Sequence, residues 1–130
     1  MKLPYLTVTQ YVKWGYLFVG IIFFLIGILN TFFHWPVAAL ISSLLMLSVS
    51  LIVGFCKKEA FDEMANAHLC EAYFAGYAAV MSVIILLVFF EFVGGFDVSM
   101  FTVLDFGFGI GHTTIGLAFL YLENGGDDLC

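Results

Sequence analysis

Asp105 and His112 stand seven residues apart in a stretch, residues 98–122, that holds no other acid, lysine or histidine. In a helix turning ~100° per residue both fall on one stripe, together with Gly109 and Gly116. An acid within a bilayer is costly to ionise, so Asp105 is a candidate for proton or cation movement. An imidazole in mid-span is a candidate for proton relay or haem ligation. Plainer roles stand beside these. Asp105 would cap a shorter helix beginning there, with residues 98–104 forming an outer interfacial segment. His112 would hydrogen-bond across to Asn30, Ser43 or Ser50. Haem between two helices needs a second histidine at matching depth, whereas His34 and His68 fall at opposite edges of the apolar segments.

Other reactive residues are scattered. Glu91, Asp97, Asp105 and His34 would form an acidic mouth attracting cations, or else are ordinary interfacial residues. His68 and Glu71, three apart, lack the further ligand that zinc or iron needs. Cys56, Cys70 and Cys130 form no C-x-x-C motif, and all three lie in segments expected to face a reducing compartment, so no disulfide is expected. The residues offer no catalytic set, metal site or cofactor site, and the chain is not expected to be an enzyme.

The elements that must position these groups are membrane helices. Hydrophobic residues make up 63% of the 130, charged residues 11%, and sixteen are Phe. A small soluble domain cannot hide that much apolar surface. Four lysines, no arginine and a net charge of −6 exclude a phosphate-binding track, hence a nucleic-acid binder. The chain is expected to be all-α, with four spans over about residues 14–33, 35–56, 72–93 and 99–122, each near the ~20 residues that cross the hydrocarbon core. The first span is too long for the apolar part of a cleaved signal peptide, and is expected to remain as an anchor. Lys2, Lys13, Lys57 and Lys58 then share one side, which the positive-inside rule makes cytoplasmic, with both termini. Trp14, Trp35, Tyr16, Tyr73 and Tyr121 fall near the boundaries. Residues 57–71 carry six of the fourteen charges without proline or glycine, and are expected to form an acidic helical segment leading into the third span.

Small residues mark the faces that pack. In the fourth span Gly109 and Gly116 share the Asp105–His112 stripe, while Gly107, Gly111, Thr114 and Ala118 lie roughly opposite. Neither side suits lipid, so this helix belongs at the centre of a bundle or at a subunit interface. Tyr16, Gly20, Phe23, Gly27, Asn30 and His34 form one stripe of the first span. Ser43 and Ser50, seven apart, superpose in the second, and Ala72/Gly76 open the third. Asp105, His112, Asn30, Ser43 and Ser50 together make a polar stripe through the membrane.

In the segment before the third span, Asp62-Glu63 followed by Ala72, Gly76 and Ala79 resembles a stretch of small uncharacterised bacterial four-helix integral membrane proteins, without its arginine. The resemblance covers the organisation of most of the chain and implies a multi-pass protein of the bacterial cytoplasmic membrane. Small multidrug transporters are similar in length and helix count, but they centre on an acidic residue in the first span, and this first span has none.

The expected function is therefore that of a non-enzymatic membrane protein acting through oligomerisation or as a subunit of a membrane complex. Its partners would be the lipid bilayer and copies of itself or another membrane protein. The alternative is a small oligomeric transporter or channel using Asp105 and His112.

Overall fold

Thr7 starts the first helix. Its hydroxyl accepts from the Gln10 N–H at 3.3 Å, and the Gln10 side chain accepts from the Thr7 N–H at 3.1 Å, a reciprocal cap. The computed structural model describes residues 5–34 and 36–125. Lys2, Trp35 and Cys130 lie outside them. Helix α1 (Val8–Phe33) contains a π-helical turn over Lys13–Phe18. It ends at His34, which is left-handed (φ 50°) and donates its N–H to the Asn30 carbonyl at 3.0 Å. Helix α2 (Pro36–Phe55) opens on a proline, whose fixed φ suits a first helical turn. Asp62 caps α3 (Glu63–Gly94), accepting from the Ala65 N–H at 2.7 Å, and Gly95 ends it with φ 64°. Ser99 caps α4 (Met100–Glu123) by accepting from the Thr102 N–H at 3.2 Å.

Two expectations change here. Residues 57–62 are not helical. Lys57–Lys58 (β2) instead pair in parallel with Tyr5–Leu6 (β1), in the register Tyr5 to Lys57 and Leu6 to Lys58. The Glu59 N–H extends the pairing to the Leu6 carbonyl at 2.9 Å, and the Lys58 ammonium sits 4.2 Å above the Tyr11 ring. The Asp62 cap then fixes the helix start at Glu63. Asp105, for its part, caps nothing. Ser99 holds that role six residues earlier, and Asp105 lies within α4.

Among the described residues three helices are long and apolar enough to cross a membrane: α1, α3 and α4. Their 26, 32 and 24 residues reach beyond the ~30 Å hydrocarbon core at ~1.5 Å per residue. Helix α4 is central and runs antiparallel to both neighbours. Along α1, Leu17 meets Gly116, Gly20 meets Thr113, Phe24 meets Gly109, and Gly27 meets Asp105 and Phe106. Along α3, Gly76 meets Ile115 and Val80 meets Gly111. Val12, Ala65, Ala72 and Phe119 close the core near the strand pair. Helix α2 is peripheral. It packs chiefly on α1, and none of its described side chains is buried. Leu40, Leu44, Leu45, Leu51 and Ile52 are exposed, whereas Ser43, Met46, Ser50 and Val53 recur at helical spacing and are half-buried, so α2 turns one shallow face inward.

Candidate functional site

Asp105 faces α1 and α2 from one side of α4. It is 4% exposed, and its Oδ1 accepts from the Ser43 hydroxyl of α2 at 2.8 Å. Gly27 makes room for it, since a Cβ on Gly27 would stand 3.3 Å from the Asp105 Cβ. The second oxygen, Oδ2, is buried and has no partner among the described residues. It leaves an acceptor for a proton, a cation or a donor from outside the chain. Asn30, one turn beyond Gly27 on the same face of α1, is 8% exposed, and its side chain makes no hydrogen bond among the described residues. Ser50 is half-buried and likewise unbonded.

His112 has different neighbours. Its Nδ1 lies 3.0 Å from the Phe108 carbonyl of its own helix, and its ring stacks on Tyr16 with centroids 5.8 Å apart and planes at 29°. The Tyr16 hydroxyl is hydrogen-bonded to that of Tyr73, so one aromatic cluster ties α1, α3 and α4 together. Tyr16 lies inside the π-helical turn, which adds a residue to the local winding and re-aims the side chains there. None of Asn30, Ser43 and Ser50 bonds to His112. The polar stripe is therefore divided: Asp105 with Ser43 on one side, His112 with Tyr16 and Tyr73 on another.

The glycines also divide. A Cβ on Gly20 would come within 2.4 Å of the Thr113 nitrogen, one on Gly109 within 2.5 Å of the Phe24 nitrogen, and one on Gly116 within 2.9 Å of the Leu17 nitrogen. These three make backbone-to-backbone contact between α1 and α4 possible. Gly111 instead meets a side chain, Val80, and Gly76 meets the Ile115 side chain first, with the Gly111 carbonyl oxygen behind it at 3.2 Å. Gly107 differs from the expected packing role, because a Cβ there would meet nothing within 4 Å. It opens into a groove of about 320 Å³ between α3 and α4, lined by Gly76, Val80, Val103, Gly107, Phe108 and His112 among others.

At the strand-pair end His68 turns to α4, its Nδ1 2.8 Å from Glu123 Oε1, rather than forming a metal pair with Glu71. Among the described residues no three His, Cys, Asp or Glu side chains converge. Glu91 and Asp97 are exposed at the opposite end, whereas Asp105 is buried away from any such mouth. Comparison with protein-family profiles, curated proteins and solved structures finds no match for the chain.

Sequence reasoning overlooked Ser99 as a cap, the Tyr16–Tyr73 bond and the strand pair. The S-x-x-T spacing of Ser99 and Thr102 carried a cap signal; the other two join residues more than fifty positions apart.

Proposed function

We propose that this chain is a non-enzymatic, multi-pass subunit of a membrane assembly, of its own copies or with another membrane protein. The observation that carries the reading is α2, a 20-residue helix, largely apolar, that buries none of its described side chains and, among the described residues, reaches α4 through one side-chain hydrogen bond, Ser43 to Asp105. Its neighbours already form a consolidated trio, so α2 offers its surface to lipid or to other helices. Purified in mild detergent, the protein should run as a particle of defined stoichiometry larger than one 14.4 kDa chain. A strictly monomeric particle that brings no second protein with it would overturn the proposal.

The same reading takes α2 as a fourth span, with both termini in the cytoplasm. Three observations support this. The strand pair joins the start of α1 to the end of α2; His68 and Glu123 join the start of α3 to the end of α4; and Lys13, Lys57 and Lys58 gather at that end. A cysteine introduced at Gly95 should react with a membrane-impermeant thiol reagent in intact cells, while Cys56 and Cys70 should not. Labelling of either native thiol from outside would reverse the orientation.

A transporter or channel is the second reading, favoured by one observation, the unpartnered buried Oδ2 of Asp105. Its weakness is the separation of Asp105 from His112 into different neighbourhoods, which offers no shared polar path.

A further inference from the structure

The groove between α3 and α4 is lined mainly by apolar residues, with Tyr77 and His112 the two lining side chains that carry a polar atom. Gly107 supplies no side chain to fill it, and a Cβ there would still meet nothing within 4 Å, so the space is open down to the backbone of α4. At about 320 Å³ it sits at the lower end of the range of small-molecule sites, and at ~30 Å³ per small group it takes on the order of ten heavy atoms. That suits a single ring or a short branched segment, with the rest of a lipophilic molecule lying along the exposed flank of the helices.

His112 determines what the polar end of that molecule must be. A backbone carbonyl only accepts, so the contact between Nδ1 and the Phe108 oxygen puts the ring proton of the neutral imidazole on Nδ1. Nε2 then carries a lone pair. It has no partner among the described residues, and His112 lines the groove. The ring is held for the task, stacked on Tyr16, whose hydroxyl is tied to Tyr73. An acceptor fixed at the edge of an apolar slot selects a donor. We propose that this groove binds a lipophilic hydroxyl compound, a phenol or alcohol with an extended apolar body, which donates its O–H to His112 Nε2. The proposal is independent of the assembly reading, since it uses the α3–α4 face and not α2.

A matched pair of probes tests it: a 4-alkylphenol and its methyl ether, which has the same body and no donor. A long-chain alkanol serves as a third arm to separate phenol from alcohol recognition. Binding is measured on the full chain in phosphatidylcholine nanodiscs, with the ¹⁵N resonance of His112 Nε2 as a second readout. A hydroxyl arm should bind about tenfold more tightly than the ether, as one hydrogen bond implies, and should shift the Nε2 resonance. His112→Phe keeps a ring to stack on Tyr16 and should remove the preference for hydroxyl over ether. Gly107→Leu fills open space, so it should leave the fold intact and abolish binding of all three probes. Equal affinity for phenol, alkanol and ether would overturn the proposal in favour of a slot for lipid acyl chains. Binding untouched by Gly107→Leu, or no binding by any probe, would overturn it outright.

Discussion

Gly109→Leu should pull α1 away from α4, the largest single effect expected in this protein. At Gly109 even a Cβ would stand 2.5 Å from the Phe24 nitrogen and 2.8 Å from its Cα, and backbone atoms cannot rotate aside as a side-chain tip can. Overpacking a core costs about 1–3 kcal/mol where side chains can give, and the rigid contact here places the cost at about 3 kcal/mol or more. Two controls isolate the cause. Gly107→Leu sits half a turn away on the same helix, faces open space and should be nearly silent in stability. At Gly111 a Cβ would stand 2.6 Å from a Val80 methyl, a side-chain rather than a backbone atom, so Gly111→Leu should fall between the two. Unfolding by denaturing detergent, followed by helix content and by cross-linking of α1 to α4, gives the order. Equal stability of the 107 and 109 variants would remove the α1–α4 backbone contact from this account.

Asp105→Ala should release α2 from α4. The bond from Ser43 to Asp105 is their side-chain link, and Ser43 without it can turn to its own helix, as Ser48 does with the Leu44 carbonyl at 2.8 Å. Losing a buried bond of this kind costs about 1 kcal/mol, with about 1.7 kcal/mol the largest value typical of membrane helices. The docked-to-undocked ratio should then fall about five- to eighteenfold. Spin labels on the exposed Leu45 of α2 and Phe101 of α4 would read this as a broadened distance distribution. Asp105→Asn keeps a carbonyl oxygen to accept from Ser43 and should leave the distribution narrow. The pair also separates the two functional readings. Under the assembly reading wild-type proteoliposomes carry no proton flux from about pH 5 to about pH 8. Flux that Asp105→Asn abolishes while α2 stays docked would establish transport instead.

The sequence by itself determined the class of the protein and the helix that organises it. Apolar helices follow from composition, because backbone groups in lipid must pair within their own segment. The central place of α4 follows from glycines on two of its sides, since only a helix with neighbours on both has use for two small faces. The separate neighbours of Asp105 and His112 were beyond reach. Helical periodicity gives angle but not partner, and the two differ in which helix lies opposite. Nor could periodicity reveal that α2 is peripheral: the Ser43–Ser50 stripe marks the side that turns inward, but not how shallowly it packs. The π-helical turn at Tyr16, the strand pair joining Tyr5 to Lys57 and the open slot at Gly107 were decided in the tertiary structure alone. Gly107 and Gly109 are two residues apart and chemically identical; one lies against the Phe24 backbone and the other against empty space, because packing depends on what the opposite helix presents at that height.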